Sequence, residues 1–298
     1  MMGVDDPRLA IGQGRIGSWN GHCGWTHALL IRCSARTWFH REIPVQLLRR
    51  GDCPMEAIAA TIGLSFRRIF PNDNWQEATR VSDIQLAMVS CALCGQESQQ
   101  CVICSMSSFG ASDLDMRPAE TERLALFAEV SECPDCGYCS PSLDYRIPGA
   151  SATIATVEYQ RLRANEQIPD LARRFLLLAM LTDQTDRTAA AIARLKAAWA
   201  CDDENQTDKA GHACRTLAIA DFAQIRSFGE TKRGVSNGLV YIDMLRRTGR
   251  YAESLAMIDM LLQYPKVRGM FRMMLEFQKK LCRNRDCACH TVDEATTP

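Results

Sequence analysis

Cys91-Ala92-Leu93-Cys94-Gly95 and Cys133-Pro134-Asp135-Cys136-Gly137 are two short stretches of one pattern, with residues 95–132 between the cysteine pairs. Zinc takes four soft ligands at tetrahedral corners, and a Cys-x-x-Cys turn presents two sulfurs to one side of one ion. The Gly after each second Cys permits a left-handed turn that leaves backbone N–H groups facing the sulfurs. Two such knuckles close a four-thiolate site with no open coordination position, which is structural rather than catalytic. One Cys-x-x-Cys arises easily in a chain of 15 cysteines. Two that both continue into Gly are the spacing of a metal site. The expected ligands of a structural Zn2+ are therefore Cys91, Cys94, Cys133 and Cys136.

Competing thiols lie nearby. Cys101-Val102-Ile103-Cys104 is a third pair without a following Gly, and Cys139 comes three residues after Cys136. Either can exchange into the ligand set. Val102 and Ile103 read as a buried strand segment, with Cys101 and Cys104 as packing residues or exposed thiols. Thiol-redox chemistry at Cys101/Cys104 is the enzymatic alternative, and it needs a lowered thiol pKa. The C-terminal Cys282, Cys287, Cys289 and His290 invite a second metal, but Cys287-x-Cys289 is too tight for a knuckle.

Between the knuckles runs Phe109-Gly110-x-x-Asp113-Leu114-Asp115-x-Arg117-Pro118, and the second knuckle continues into Tyr138. Phe109 is expected to pack beside the metal site. Asp113, Asp115 and Arg117 share one face of an extended chain. They read as a surface loop with an ion pair or as a polar recognition face. Leu124 to Val130 reads as a strand leading into the second knuckle. This series resembles a bacterial family, without an assigned activity, whose members join a zinc-ribbon-like segment to tetratricopeptide-like helices. The resemblance covers Cys91 to Tyr138 and, more loosely, the helical remainder. It implies the same four metal positions and leaves Cys101, Cys104 and residues 1–87 outside the pattern.

Outward from the ribbon, the expected fold class is α+β, mostly α: residues 88–147 a zinc-ribbon-like domain and 148–298 an antiparallel, tetratricopeptide-like helical domain. Thr153 to Arg163 is a first amphipathic piece. Pro169 opens a helix at a position that proline tolerates, and Ala189 to Trp199 follow helical periodicity. A fourth helix is expected from Asp208 to Phe228, and Gly234 to Gly238 should loosen the chain. Leu245-Arg-Arg-Thr-Gly249-Arg-Tyr251-Ala-Glu-Ser254, closed by Pro265, resembles one tetratricopeptide repeat; such helix pairs often present a groove to a protein or peptide partner. A plain helical bundle is the alternative. His212 and Cys214 face apart on their helix.

Residues 1–87 carry no sustained amphipathic pattern. They are expected to be a poorly patterned N-terminal extension, or a segment foreign to a ribbon protein that starts at Met88. Within them, residues 55–70 resemble a helix-turn-helix. Net charge is zero. Cys91 to Tyr138 holds two basic residues, Arg117 and Arg123, against eight acidic ones, so nucleic acid is a poor partner. No apolar run approaches the roughly 18–20 residues of a membrane span, and the N-terminus lacks a signal-peptide pattern; a cytoplasmic location is expected. No nucleophile–base pair or P-loop is present. The sequence supports a non-catalytic zinc protein, in which replacing Cys91 or Cys133 should unfold the ribbon and spare the helices.

Overall fold

A computed structural model describes residues 82–106, 109–123, 125–204, 208–225 and 228–297. The helix-turn-helix-like stretch and nearly all of the expected N-terminal extension lie outside these residues. The described part is mostly helical with two small antiparallel sheets, the α+β class expected.

Each cysteine knuckle sits at the tip of a hairpin. β1 (Ser82–Ser90) pairs with β2 (Glu97–Met106), and the first knuckle is their turn. β3 (Ser131–Glu132) pairs with β4 (Cys139–Ser140), and the second knuckle is theirs. β1 crosses the expected boundary at Met88, which lies within the strand. β2 contains Val102 and Ile103, but Val102 is exposed and Ile103 only half-buried; burial falls on Cys101 instead. Over the described residues 125–130, the strand expected from Leu124 to Val130 is not formed. α1 (Glu120–Arg123) precedes that region, and a short 3-10 helix (Leu126–Glu129) lies within it. A short apolar run has no period long enough to distinguish strand from helix, and here Leu126 is buried by a tight turn.

The chain then enters helices. The expected single piece Thr153–Arg163 is two helices, α2 (Ala150–Ile154) and α3 (Val157–Arg163). Thr156 divides them, because its hydroxyl caps α3 by accepting from the Tyr159 N–H. α4 (Asp170–Thr182), α5 (Arg187–Asp203) and α6 (Asp208–Phe222) pack in succession. Ala190, Ala193, Ala197 and Ala200 on α5 are buried, and their small side chains let neighbouring helices approach closely. Phe175, Leu177 and Leu181 fill the other side. Each such buried side chain stabilises the fold by roughly 1.5–3 kcal/mol.

α6 ends at Phe222, short of the expected Phe228. α7 (Lys232–Arg247) runs unbroken through Gly234 and Gly238, where loosening was expected. The Thr231 hydroxyl caps it on Gly234 N–H. Gly238 lies where a Cβ would come within 2.6 Å of Leu261 on α8 (Tyr251–Leu261). Close packing thus outweighs the helix cost of glycine, about 1 kcal/mol. α9 (Met270–Arg283) packs on α7 and α8, and α10 (Val292–Thr296) on α9. Among the described residues no helix is long and apolar enough to cross a membrane.

The inter-knuckle loop is the largest departure from expectation. Asp113, Asp115 and Arg117 are 2%, 1% and 5% exposed, so they form neither a surface loop nor a recognition face. Asp115 Oδ2 accepts from Trp199 Nε1 of α5 at 2.8 Å and from Arg247 Nη1 of α7 at 3.4 Å. Arg247 also reaches Asp202 at 3.2 Å, and Asp202 is gripped by Arg215 of α6. Arg117 pairs with Asp203, and Arg123 with Asp113. Burial disfavours the Asp202 charge, but Arg215 and Arg247 outweigh it and hold the carboxyl below its usual range. The tail joins from behind: Leu114 N–H donates to His290 O at 2.9 Å and Val292 N–H to Ser112 O at 2.8 Å.

Removing one partner of a buried ion pair leaves the other uncompensated. Asp115→Ala is therefore expected to cost about 3–5 kcal/mol. Glu253→Ala, whose partner Arg250 is exposed, should change stability by less than about 0.5 kcal/mol. Urea denaturation of both variants checks this, and equal small losses would contradict the buried network.

Candidate metal centre

Both knuckles use one backbone design. Cys91 N–H donates to Gln96 O and Cys133 N–H to Tyr138 O, both at 2.9 Å. Gly95 N–H returns to Cys91 O at 2.8 Å, and Gly137 N–H to Cys133 O at 2.9 Å. The two glycines take φ +78° and +74°, the left-handed region that favours residues without a Cβ. Each hairpin thereby turns two sulfurs toward the same side.

The two pairs face each other. The ligand atoms of Cys91, Cys94, Cys133 and Cys136 all lie within 4.8 Å of one another. Cys91 Sγ is 3.7 Å from Cys136 Sγ, and Cys94 Sγ is 3.6 Å from Cys133 Sγ. Four sulfurs about 2.3 Å from one tetrahedral ion would stand ~3.8 Å apart. The cross-knuckle spacings fit a closed tetrathiolate site. Cys91 and Cys133 are buried, Cys136 half-buried and Cys94 exposed. Burial raises the Cys133 and Cys136 thiols. Burial also acts on Cys91, but the N–H groups of Cys94 and Leu93 outweigh it and hold that thiol low. Crowded thiols of this kind lose their protons on binding a metal.

The other candidate thiols stand apart from this group. Cys101 is buried and Cys104 exposed, and burial pushes the Cys101 thiol up, the opposite of what redox reactivity needs. Cys139 is fully buried, its Sγ 3.7 Å from Gly137 O. Cys282 packs against Ser254 Oγ at 3.2 Å, while Cys287 and Cys289 are exposed. His290 is held between Glu294 and Asp286 at 2.7 and 3.0 Å. Among the described residues no second set of metal-donor side chains converges. Phe109, expected beside the site, is 65% exposed. His212 is exposed and Cys214 buried against Cys201.

Sequence reasoning missed the residues that frame the second knuckle. Tyr138 donates to Tyr145 O at 2.7 Å and accepts from Ile147 N–H at 2.9 Å. Tyr159 of α3 donates to Gly137 O at 2.7 Å. Arg163 of α3 lies against the knuckle, donating to Glu132 Oε1 at 3.2 Å. Only the Tyr after Cys136-Gly137 carried a signal in the sequence.

A Cβ on Gly137 would come within 2.4 Å of Arg163 Nε, whereas one on Gly95 would meet open space. Gly95→Ala should cost only the left-handed backbone strain, about 1–2 kcal/mol. Gly137→Ala should cost more, because Arg163 must also leave its place. Paired denaturation curves check this, and equal losses would contradict the packing of α3 on the knuckle. Compared with known protein families, with curated proteins and with solved structures, the chain matches none, so the reading of the site rests on its own geometry.

Proposed function

We propose that this is a non-catalytic zinc protein. In this reading a structural Zn2+ held by Cys91, Cys94, Cys133 and Cys136 closes a ribbon, and the attached helices form a tetratricopeptide-like module for a protein or peptide partner. The convergence of four cysteine sulfurs from two glycine-ended hairpin turns carries the reading. Zinc is the metal whose ligand preference and geometry such a set fits best. A closed four-sulfur set leaves no position for substrate, which favours a structural role.

Support for the helical reading comes from α7 and α8. They are joined by a short turn with Gly249 at φ +74° and pack closely through Gly238 and Leu261. Ser254 fills the small-residue position of the repeat, fully buried, with its hydroxyl on Ile242 O at 3.1 Å. α9 packs across both. In this reading the protein is cytoplasmic, where Cys-x-x-Cys pairs bind metal more often than they form disulfides.

Elemental analysis of the purified chain tests the proposal. One zinc per chain is expected, falling to none in Cys94→Ser/Cys136→Ser. No metal in the unmodified protein, with rapidly reacting thiols, would overturn it.

A further inference from the structure

The two halves of the metal site are built unequally. Among the described residues, the first knuckle is tied by the backbone of its own turn and by Ala92 N–H to Leu143 O at 2.8 Å. It sits on a hairpin whose Leu86, Met88 and Val102 are exposed, and Cys94 itself is exposed. The second knuckle is gripped from outside by two helices, chiefly α3. Tyr159, fully buried, donates its hydroxyl to Gly137 O at 2.7 Å. Arg163 donates through Nε to Glu132, the residue before Cys133, and through Nη2 to Pro134 O at 3.4 Å. Arg174 of α4 approaches the other Glu132 oxygen at 3.8 Å. The clasp holds the Glu132 side chain before the Cys133–Cys136 turn, Pro134 O within it and Gly137 O after it.

Resting on the zinc reading above, we propose that Tyr159 and Arg163 are positioning residues that preform the Cys133/Cys136 half-site before metal arrives, so that the first knuckle closes onto a rigid half. The physical ground is entropy. A turn already fixed by the fold does not have to be ordered by the ion, and the ordering cost is removed from the binding step. Tyr159 holds Gly137 O, and the N–H groups of Asp135 and Cys136 in the same turn lie against the Cys133 sulfur. Outer contacts of this kind orient ligands and tune affinity. The arrangement also links metal loading to the helices, because the clasp belongs to α3 and α4 rather than to the ribbon.

The test is zinc affinity of the full chain, measured by competition with a chromophoric chelator, and the absorption of the cobalt-loaded protein. Tyr159→Phe, which removes one oxygen atom, and Arg163→Gln are each expected to weaken zinc binding by about 10–100-fold. Arg161→Gln, exposed on the same helix, should leave it unchanged. At saturation the tetrathiolate cobalt spectrum should keep its shape in every variant, since the ligands are untouched. Affinities of Tyr159→Phe and Arg163→Gln within about twofold of the unmodified chain would overturn the proposal. Were Arg163→Gln not to fold, Tyr159→Phe alone decides. Failure of the zinc reading is separate and visible earlier: the unmodified chain would take up no metal, and both readings would fall.

Discussion

The Asp115 carboxylate is taken out of water between a ribbon loop and two helices, where it meets Trp199 Nε1 and Arg247. A buried charge is tolerable only with its partners in place. That constraint positions much else. Arg247 must lie between Asp115 and Asp202, which fixes α7 against α5. Asp202 must face Arg215, which draws in α6. The loop that carries Asp115 is in turn held at its two ends by the cysteine pairs. A segment fixed at both ends and pinned near its middle has little freedom left, and ordering it is a large entropic cost that the ion network and, in the proposed reading, a bound metal offset together.

This changes how the ribbon relates to the helices. A zinc ribbon read from sequence is a separable module, and its loss should spare its neighbour. Here the described residues all fall within one compact unit. The loop packs on α5 and α7, the tail pairs with Ser112 and Leu114, and α3 reaches back to Gly137. The four-cysteine site closes a loop on which helix packing depends. Independent unfolding of the ribbon, as expected from the sequence, does not accord with this packing.

What could be read in advance was local. Cys-x-x-Cys-Gly states its own geometry within five residues, so the quartet was legible without any knowledge of the rest. The periodicity of α4 and α5 was similarly short-range. The fate of Asp113, Asp115 and Arg117 was not legible, because alternation in an extended segment looks the same whether the shared face meets water or a helix. The partners that decide it, Trp199 and Arg247, lie far along the chain. Gly234 and Gly238 misled for a related reason: glycine's local preference is known from its identity, but the Leu261 side chain that needs the missing Cβ is not. Tyr159 and Arg163 gave no signal because a tyrosine and an arginine on a helix have many ordinary uses.

Hydrogen–deuterium exchange of the zinc-loaded chain, before and after a strong chelator, tests the coupling of metal to helices most directly. The account predicts that metal removal raises exchange in the hairpin turns and also in the loop-facing parts of α5 and α7, around Trp199 and Arg247. Increased exchange confined to residues 82–147, with α5 and α7 unchanged, would contradict it and restore the ribbon as an independent module.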